Sequence, residues 1–303
     1  MNVHVIRAIF KRNFVSYFAN PTGYVFICVF VFLSSIAAFM PYDFFHANQA
    51  HLDQLKKYLP YIMMVFIPAI TMSIWAEERR QGTDELLLTI PAADFDVVLG
   101  KYLAAVAIFS VSLIFSLVCN YLVLLSLGEP DFGLLMGTYF GYWIVGLAML
   151  ATGMVASFLT SNLTVGFILG ALFNAPLVFA GALSDRWSFL KQLSITAQFH
   201  DFSRGVISFA AIGYFLAIVA LMLYLCIVLL GRRHWKGGAE GSTVAGHYFV
   251  RFIALAAAVV ALNVFLTNHD TLRADVTSEK LNSLSAQSRE LISTLNAERP
   301  VVV

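Results

Sequence analysis

Six stretches of this chain contain no Asp, Glu, Lys or Arg: Thr22–Pro41, Tyr58–Ala76, Tyr102–Gly128, Phe132–Ser184, Gly205–Gly231 and Phe252–Asn268. A helix needs about 20 predominantly apolar residues to cross the hydrocarbon core of a bilayer. The fourth stretch is too long for one crossing, and its most polar point, Thr160–Asn162, divides it into two. The chain is therefore expected to form an all-α polytopic membrane protein with seven spans. Only 12% of its residues are charged, about half the roughly 25% usual in a soluble domain. The net charge of +1 and the absence of a basic tract interleaved with aromatics argue against a nucleic-acid partner. Cys28, Cys119 and Cys226 all fall within apolar stretches, where a free thiol behaves as a small hydrophobe.

Cytoplasmic loops retain positive charge, so Lys and Arg set the orientation. With the N-terminus inside, Arg7, Lys11, Arg12, Arg79, Arg80, Lys101, Arg232, Arg233, Lys236 and Arg251 are cytoplasmic. Lys56, Lys57, Arg186, Lys191 and Arg204 lie in outside loops. This imbalance predicts an N-terminus in the cytoplasm. Val3, Ile6, Phe10, Phe14 and Phe18 recur near helical spacing ahead of the first span, and predict an amphipathic helix in the headgroup plane. Asn20–Gly23 supplies the turn into the bilayer. The N-terminus lacks the apolar core and small-residue cleavage site of a signal peptide. After the sixth span, the Gly- and Ser-rich segment 234–250 reads as a cytoplasmic linker. A seventh span at 251–268 then leads to an outside segment, 269–303. Within that segment Ser285 is expected to cap a helix carrying Leu291 and Leu295 and ended by Pro300, with Val301–Val303 opening a strand.

Between the second and third spans, "WAEERRQGTDELLLTIPAADFDVVLGK" (Trp75–Lys101) concentrates charge beside two very apolar runs. Trp75 is expected at the membrane interface. Gly82 should break the helix there, and Thr83 should cap a second short helix with Asp84 and Glu85 in its first turn. Leu86, Leu87, Leu88 and Ile90 give that helix an apolar face, Pro91 stops it, and Asp94 is placed to cap the third span. A leucine-faced helix this short needs a partner surface, unless it folds back into the interface as a solvated turn.

"EERRQGTDELLLTIPAADFDVVLGKYLA" (Glu77–Ala104) resembles the signature loop of type-2 ABC (ABC-2) exporter permeases, among them the gliding-motility-associated, GldF-like permeases. The resemblance covers Met1 to about Arg233, and includes "HDFSRGVIS" at His200–Ser208 ahead of the sixth span. It implies residues 1–233 as a permease domain of elbow helix and six spans. The loop is then a coupling helix that docks on a separate nucleotide-binding subunit, with Glu77, Glu78, Arg79, Gly82, Thr83, Glu85 and Leu86 as the contact set. The resemblance further implies a second copy of the permease, a bacterial inner-membrane location, and periplasmic auxiliary proteins. "RADVTSEKLNSLSAQSRELISTL" (Arg273–Leu295) resembles the start of GldG-like auxiliary proteins. Both together suggest a fusion, and a rival role as a membrane scaffold that passes ATPase-driven motion to a periplasmic domain.

No G-x-x-x-x-G-K-[ST] phosphate loop occurs, so ATP and Mg are expected on the partner ATPase and no cofactor on this chain. The charge-free stretches hold no Asp, Glu, Lys, Arg or His, which argues against an ion-coupled carrier. Asp43, His46, His51 and Asp53 cluster in the first outside loop and carry metal-binding groups, but read better as a wet loop. Asn120 and Asn174 within spans are expected to act as interhelical glue. "GTYFG" (Gly137–Gly141) and "GFILG" (Gly166–Gly170) have spacing for close helix approach, within one subunit or across a dimer face. Trp187, Phe189, Leu190 and Leu193 predict an outer interfacial helix.

Overall fold

The structure is a computed structural model that describes residues 2–40, 44, 51–83, 92–183, 195–231, 239–268, 273–278, 280, 282–283, 287–288 and 290. Helix α1 (Val3–Ala19) leads at a bend of 76° into α2 (Pro21–Phe39). Helices α3 (Asp53–Thr71) and α4 (Ser73–Gln81) follow one another across Met72. Then come α5 (Asp94–Leu127), α6 (Phe132–Phe158) and α7 (Leu163–Leu183). A short α8 (Ile195–Phe199), a 3₁₀ turn (Phe202–Arg204) and β1 (Val206–Ser208) precede α9 (Phe209–Gly231). Helix α10 (Ala239–Asn268) is followed by β2 (Arg273–Asp275).

The protein is all-α and polytopic. Six stretches among the described residues are long and apolar enough to cross a bilayer: Asp53–Gln81, α5, α6, Leu163–Ala180, α9 and Gly246–Leu266. Counting the bent pair of α1 and α2 gives the seventh. Of the apolar set expected on the elbow helix, Ile6 is buried together with Ile9 where α1 packs on α5, whereas Val3 is exposed and Phe10, Phe14 and Phe18 are half-buried. Helix α10 starts at Ala239, well inside the Gly- and Ser-rich stretch expected as a linker. Among the described residues two short strands join the helices: β1 and β2 pair antiparallel, an arrangement that the apolar pattern does not signal.

Helix α6 is the hub of the bundle. Its apolar window is 78% buried, against 6% for that of α10, which lies at the edge of the bundle. Neighbours press directly on its glycines. A Cβ at Gly146 would meet the Phe109 ring at 2.2 Å, and one at Gly153 would meet Thr71 Oγ1 at 2.4 Å. The glycine pairs serve packing within this subunit: Gly137 and Gly141 face the turn at Gly205 and Phe202, and Gly170 faces Pro68 of α3. Close approach of this kind replaces the hydrophobic drive that lipid removes.

Asn120 acts between helices as expected. Its Oδ1 accepts from Ser35 Oγ of α2 at 2.8 Å, and its Nδ2 donates to Tyr139 OH of α6 at 2.9 Å. Ser34 and Ser116 are hydrogen-bonded at 2.7 Å beside it, so α2, α5 and α6 share one polar seam. Asn174 does not do this. Its Nδ2 donates to Gly170 O of its own helix at 2.9 Å, and its Oδ1 is buried without a hydrogen-bond partner among the described residues.

Candidate coupling site

Helix α4 ends the way its sequence dictates. Gly82 takes a left-handed conformation with φ of 67°, a region that costs other residues a Cβ clash. Its N–H donates to Arg79 O at 3.2 Å and that of Thr83 to Glu78 O at 3.0 Å. This is the double closure of a Schellman motif. The short helix expected after it falls on residues 84–91, which lie outside the described residues, Glu85 and Leu86 among them.

The charges of α4 divide into two sets. Glu78 turns inward, with 14% of its side chain exposed, to a fully buried Lys101 Nζ at 2.7 Å. Its other oxygen pairs with Arg12 of α1. Lys101 also donates to Ile74 O at 2.7 Å and sits 4.4 Å above the Trp75 ring. Arg79 donates to Phe158 O and stacks its guanidinium 4.2 Å over the Phe158 ring. Ser157 Oγ accepts from the Trp75 and Ala76 amides at 3.1 and 3.3 Å and donates to Met72 O at 2.9 Å. These three bonds satisfy backbone groups freed where α3 passes into α4. The outward set is Glu77, which takes Arg80 at 2.7 Å and Gln81 at 2.6 Å, together with exposed Arg80, Gln81, Gly82 and Thr83.

Three sequence expectations need correction. Trp75 is not an interfacial aromatic: it is 1% exposed, with the Phe158 ring 5.1 Å away and Lys101 above it. Lys101 is not a loop charge. The third span's helix begins at Asp94, two turns before the apolar run, so Lys101 is buried among helices. The helix that carries the charge-free window therefore also buries a charge one residue ahead of it. Asp94 does not cap α5. Ala93 holds the cap position without a side-chain bond, and the buried Asp96 instead accepts the Asn2 amide at 2.9 Å.

The residues that sequence reasoning missed are Arg12, Lys101 as a buried partner, Ser157 and Phe158. Arg12 stands 66 positions from Glu78, and no local pattern joins them. Elsewhere, His51 and Asp53 are 3.5 Å apart, while Asp43 and His46 lie outside the described residues. No group of three or more His, Cys, Asp or Glu that could hold a metal stands together among the described residues. Trp187, Phe189, Leu190 and Leu193, and the tail from Leu291 to Val303, also lie outside them, as does Ser285.

The charged helix between α3 and α5, locked at one end of a glycine-packed bundle, falls inside a stretch that matches a known family. Residues 52–199 match the family described as ABC-2 family transporter protein. The match covers just under half of the chain. It runs from the start of α3 through α8 and takes in the whole of α4, and it supports a transmembrane component of a transporter. No curated protein matches the chain.

Proposed function

We propose that this chain is the permease subunit of an ABC-2 type exporter, and that α4 with the segment after it is the surface on which a separate nucleotide-binding subunit acts. The single observation that carries this reading is the division of charges on α4. Glu78 and Arg79 tie it to α1, α5 and α6, whereas Glu77, Arg80, Gln81 and Thr83 face outward. A helix held this way moves as one body with the bundle, so a push on its outer face reaches the spans without being dissipated in a loose loop. The ABC-2 match over 52–199 supports the same assignment.

In this reading the ATPase subunit holds ATP and Mg, two copies of the permease work together, and the N-terminus faces the cytoplasm of the bacterial inner membrane. The GldF-like and GldG-like resemblances make a gliding-associated exporter the specific form of the proposal. Among the contact set taken from the resemblance, Glu77, Gly82, Thr83, Glu85 and Leu86 are assigned to touch the ATPase. Glu78 and Arg79 are assigned to carry the displacement inward.

The test uses membranes in which the chain is purified together with its ATPase. A photo-crosslinking residue at Gln81 or Thr83 is expected to capture the ATPase subunit, and one at Val206, at the other end of the bundle, is not. Leu86→Asp should abolish ATP-driven transport while membrane insertion is retained. Capture from Val206 alone, or full transport by Leu86→Asp, rejects the docking assignment. A non-transporting scaffold is the second reading, favoured by the pairing of β2 with β1. It requires ATPase activity without uptake of any substrate into inverted vesicles.

A further inference from the structure

At the end of the bundle away from α4, the segment that follows α10 lies across three other parts of the chain. β2 pairs with β1 in the register Val206↔Asp275, Ile207↔Ala274 and Ser208↔Arg273. The Val276 amide then donates to Gly205 O at 3.0 Å, and Asn282 Nδ2 donates to Arg204 O at 2.9 Å. The segment also grips α6. Asp131, the N-cap of that helix, accepts the Leu134 amide at 2.9 Å, the Ser278 hydroxyl at 2.8 Å and the Ser278 amide at 3.2 Å.

Two glycines make the fit possible. A Cβ at Gly133 would lie 1.9 Å from Val276 O, and one at Gly205 would lie 2.6 Å from Thr277 Cγ2. Gly205 also holds φ of 76°, so it is required for conformation and for clearance. Beneath it, Phe202 is fully buried and Thr138 is 2% exposed, in the joint between the 3₁₀ turn and α6. Burial alone would raise the Asp131 carboxyl, but the hydrogen bonds from Leu134, Ser278 and Gly133 hold it below its ordinary value.

We propose that residues 273–278 are a strap that clamps the 3₁₀ turn and β1 onto the N-terminal end of α6, and so holds this end of the bundle closed. Two of its contacts are to parts of the chain that only tertiary folding brings together, α6 at Asp131 and the turn at Gly205. Beside the strap, the turn rests on α6 through Phe202, Phe199, the glycine contacts and Thr138 Oγ1, which donates to Phe202 O at 3.5 Å, and Lys56 of α3 donates to Ser203 O. Opening of this end then requires the strap to lift. Because β2 follows α10, which packs on α9, the strap couples movement of α10 to the turn.

Hydrogen exchange of the full chain in lipid discs tests the strap without ATP, partner or substrate, so its outcome is separate from that of the coupling assignment. Ser278→Ala removes one hydroxyl contact, and Gly133→Leu pushes Val276 away. Both are expected to speed amide exchange at 201–208 at least several-fold while α3 and α5 are unchanged. A disulfide between Asp131→Cys and Ser278→Cys, made in a chain whose three native cysteines are replaced by Ala, should slow exchange there until reductant is added. The strap is rejected if the disulfide does not form. It is also rejected if 201–208 exchanges at the wild-type rate in both Gly133→Leu and the disulfide-linked chain.

Discussion

Lys101 is a cation with no exposed side-chain surface, and it meets the Glu78 carboxylate, the Ile74 carbonyl and the face of the Trp75 indole. A buried charge is tolerated only when paired, and removing one partner leaves the other stranded at a cost of about 3–5 kcal/mol. Glu78→Ala should therefore destabilise the purified protein by about that amount. Adding Lys101→Met should restore most of the loss, because a flexible apolar chain of similar length fills the same space. The comparison is made by thermal unfolding of the two variants in the same detergent. A double variant no more stable than the single one would show that Arg12 and the Trp75–Phe158 packing hold α4, and that the ion pair does not. The sequence supplied the identities of Glu78 and Lys101 but placed the lysine in a loop. Its burial follows from where α5 begins, which the charge-free window understates by eight residues, from Asp94 to Lys101.

At the scale of elements, α4 shows a terminus that sequence reads well. Gly82 was expected to break the helix and does so in the left-handed region, since only glycine adopts it without a steric cost. A Cβ there would meet nothing within 4 Å, so the cost of substitution is conformational alone. Gly82→Val should fray the end of α4 by roughly 1–2 kcal/mol and speed tryptic cleavage after Arg79 and Arg80 by roughly 5- to 30-fold. Gly82→Asn, which tolerates the left-handed region better, should show a much smaller change. Equal cleavage of Val and Asn variants would mean that Ser157 and the Arg79–Phe158 contact alone fix the helix end. The pairing of β1 with β2 is the opposite case. Three-residue strands 65 positions or more apart leave no periodic trace, and their register depends on what the helices bring side by side.

At the scale of the whole molecule, the prediction concerns α10. If Gly246–Leu266 crosses the bilayer, Ser242→Cys and Ser283→Cys lie on opposite sides. An impermeant thiol reagent applied to intact spheroplasts is then expected to label Ser283→Cys and spare Ser242→Cys. Labelling of both would show that this helix does not cross, and labelling of Ser242→Cys alone would invert the topology and move α4 to the outer face. The number of apolar helices, the amphipathic elbow and the break at Gly82 were set by the sequence alone. Each depends on interactions within a few turns of chain or on transfer of one segment into lipid, and these are properties of composition and spacing. The tertiary structure decided that Glu78 faces inward to Arg12 and Lys101, that Trp75 is core, that Asn120 joins three helices while Asn174 bonds its own, and that β2 returns to β1. Those outcomes turn on which face of one helix meets which face of another. In a chain whose helices are apolar nearly all round, hydrophobicity does not choose that face; small residues and buried polar groups do.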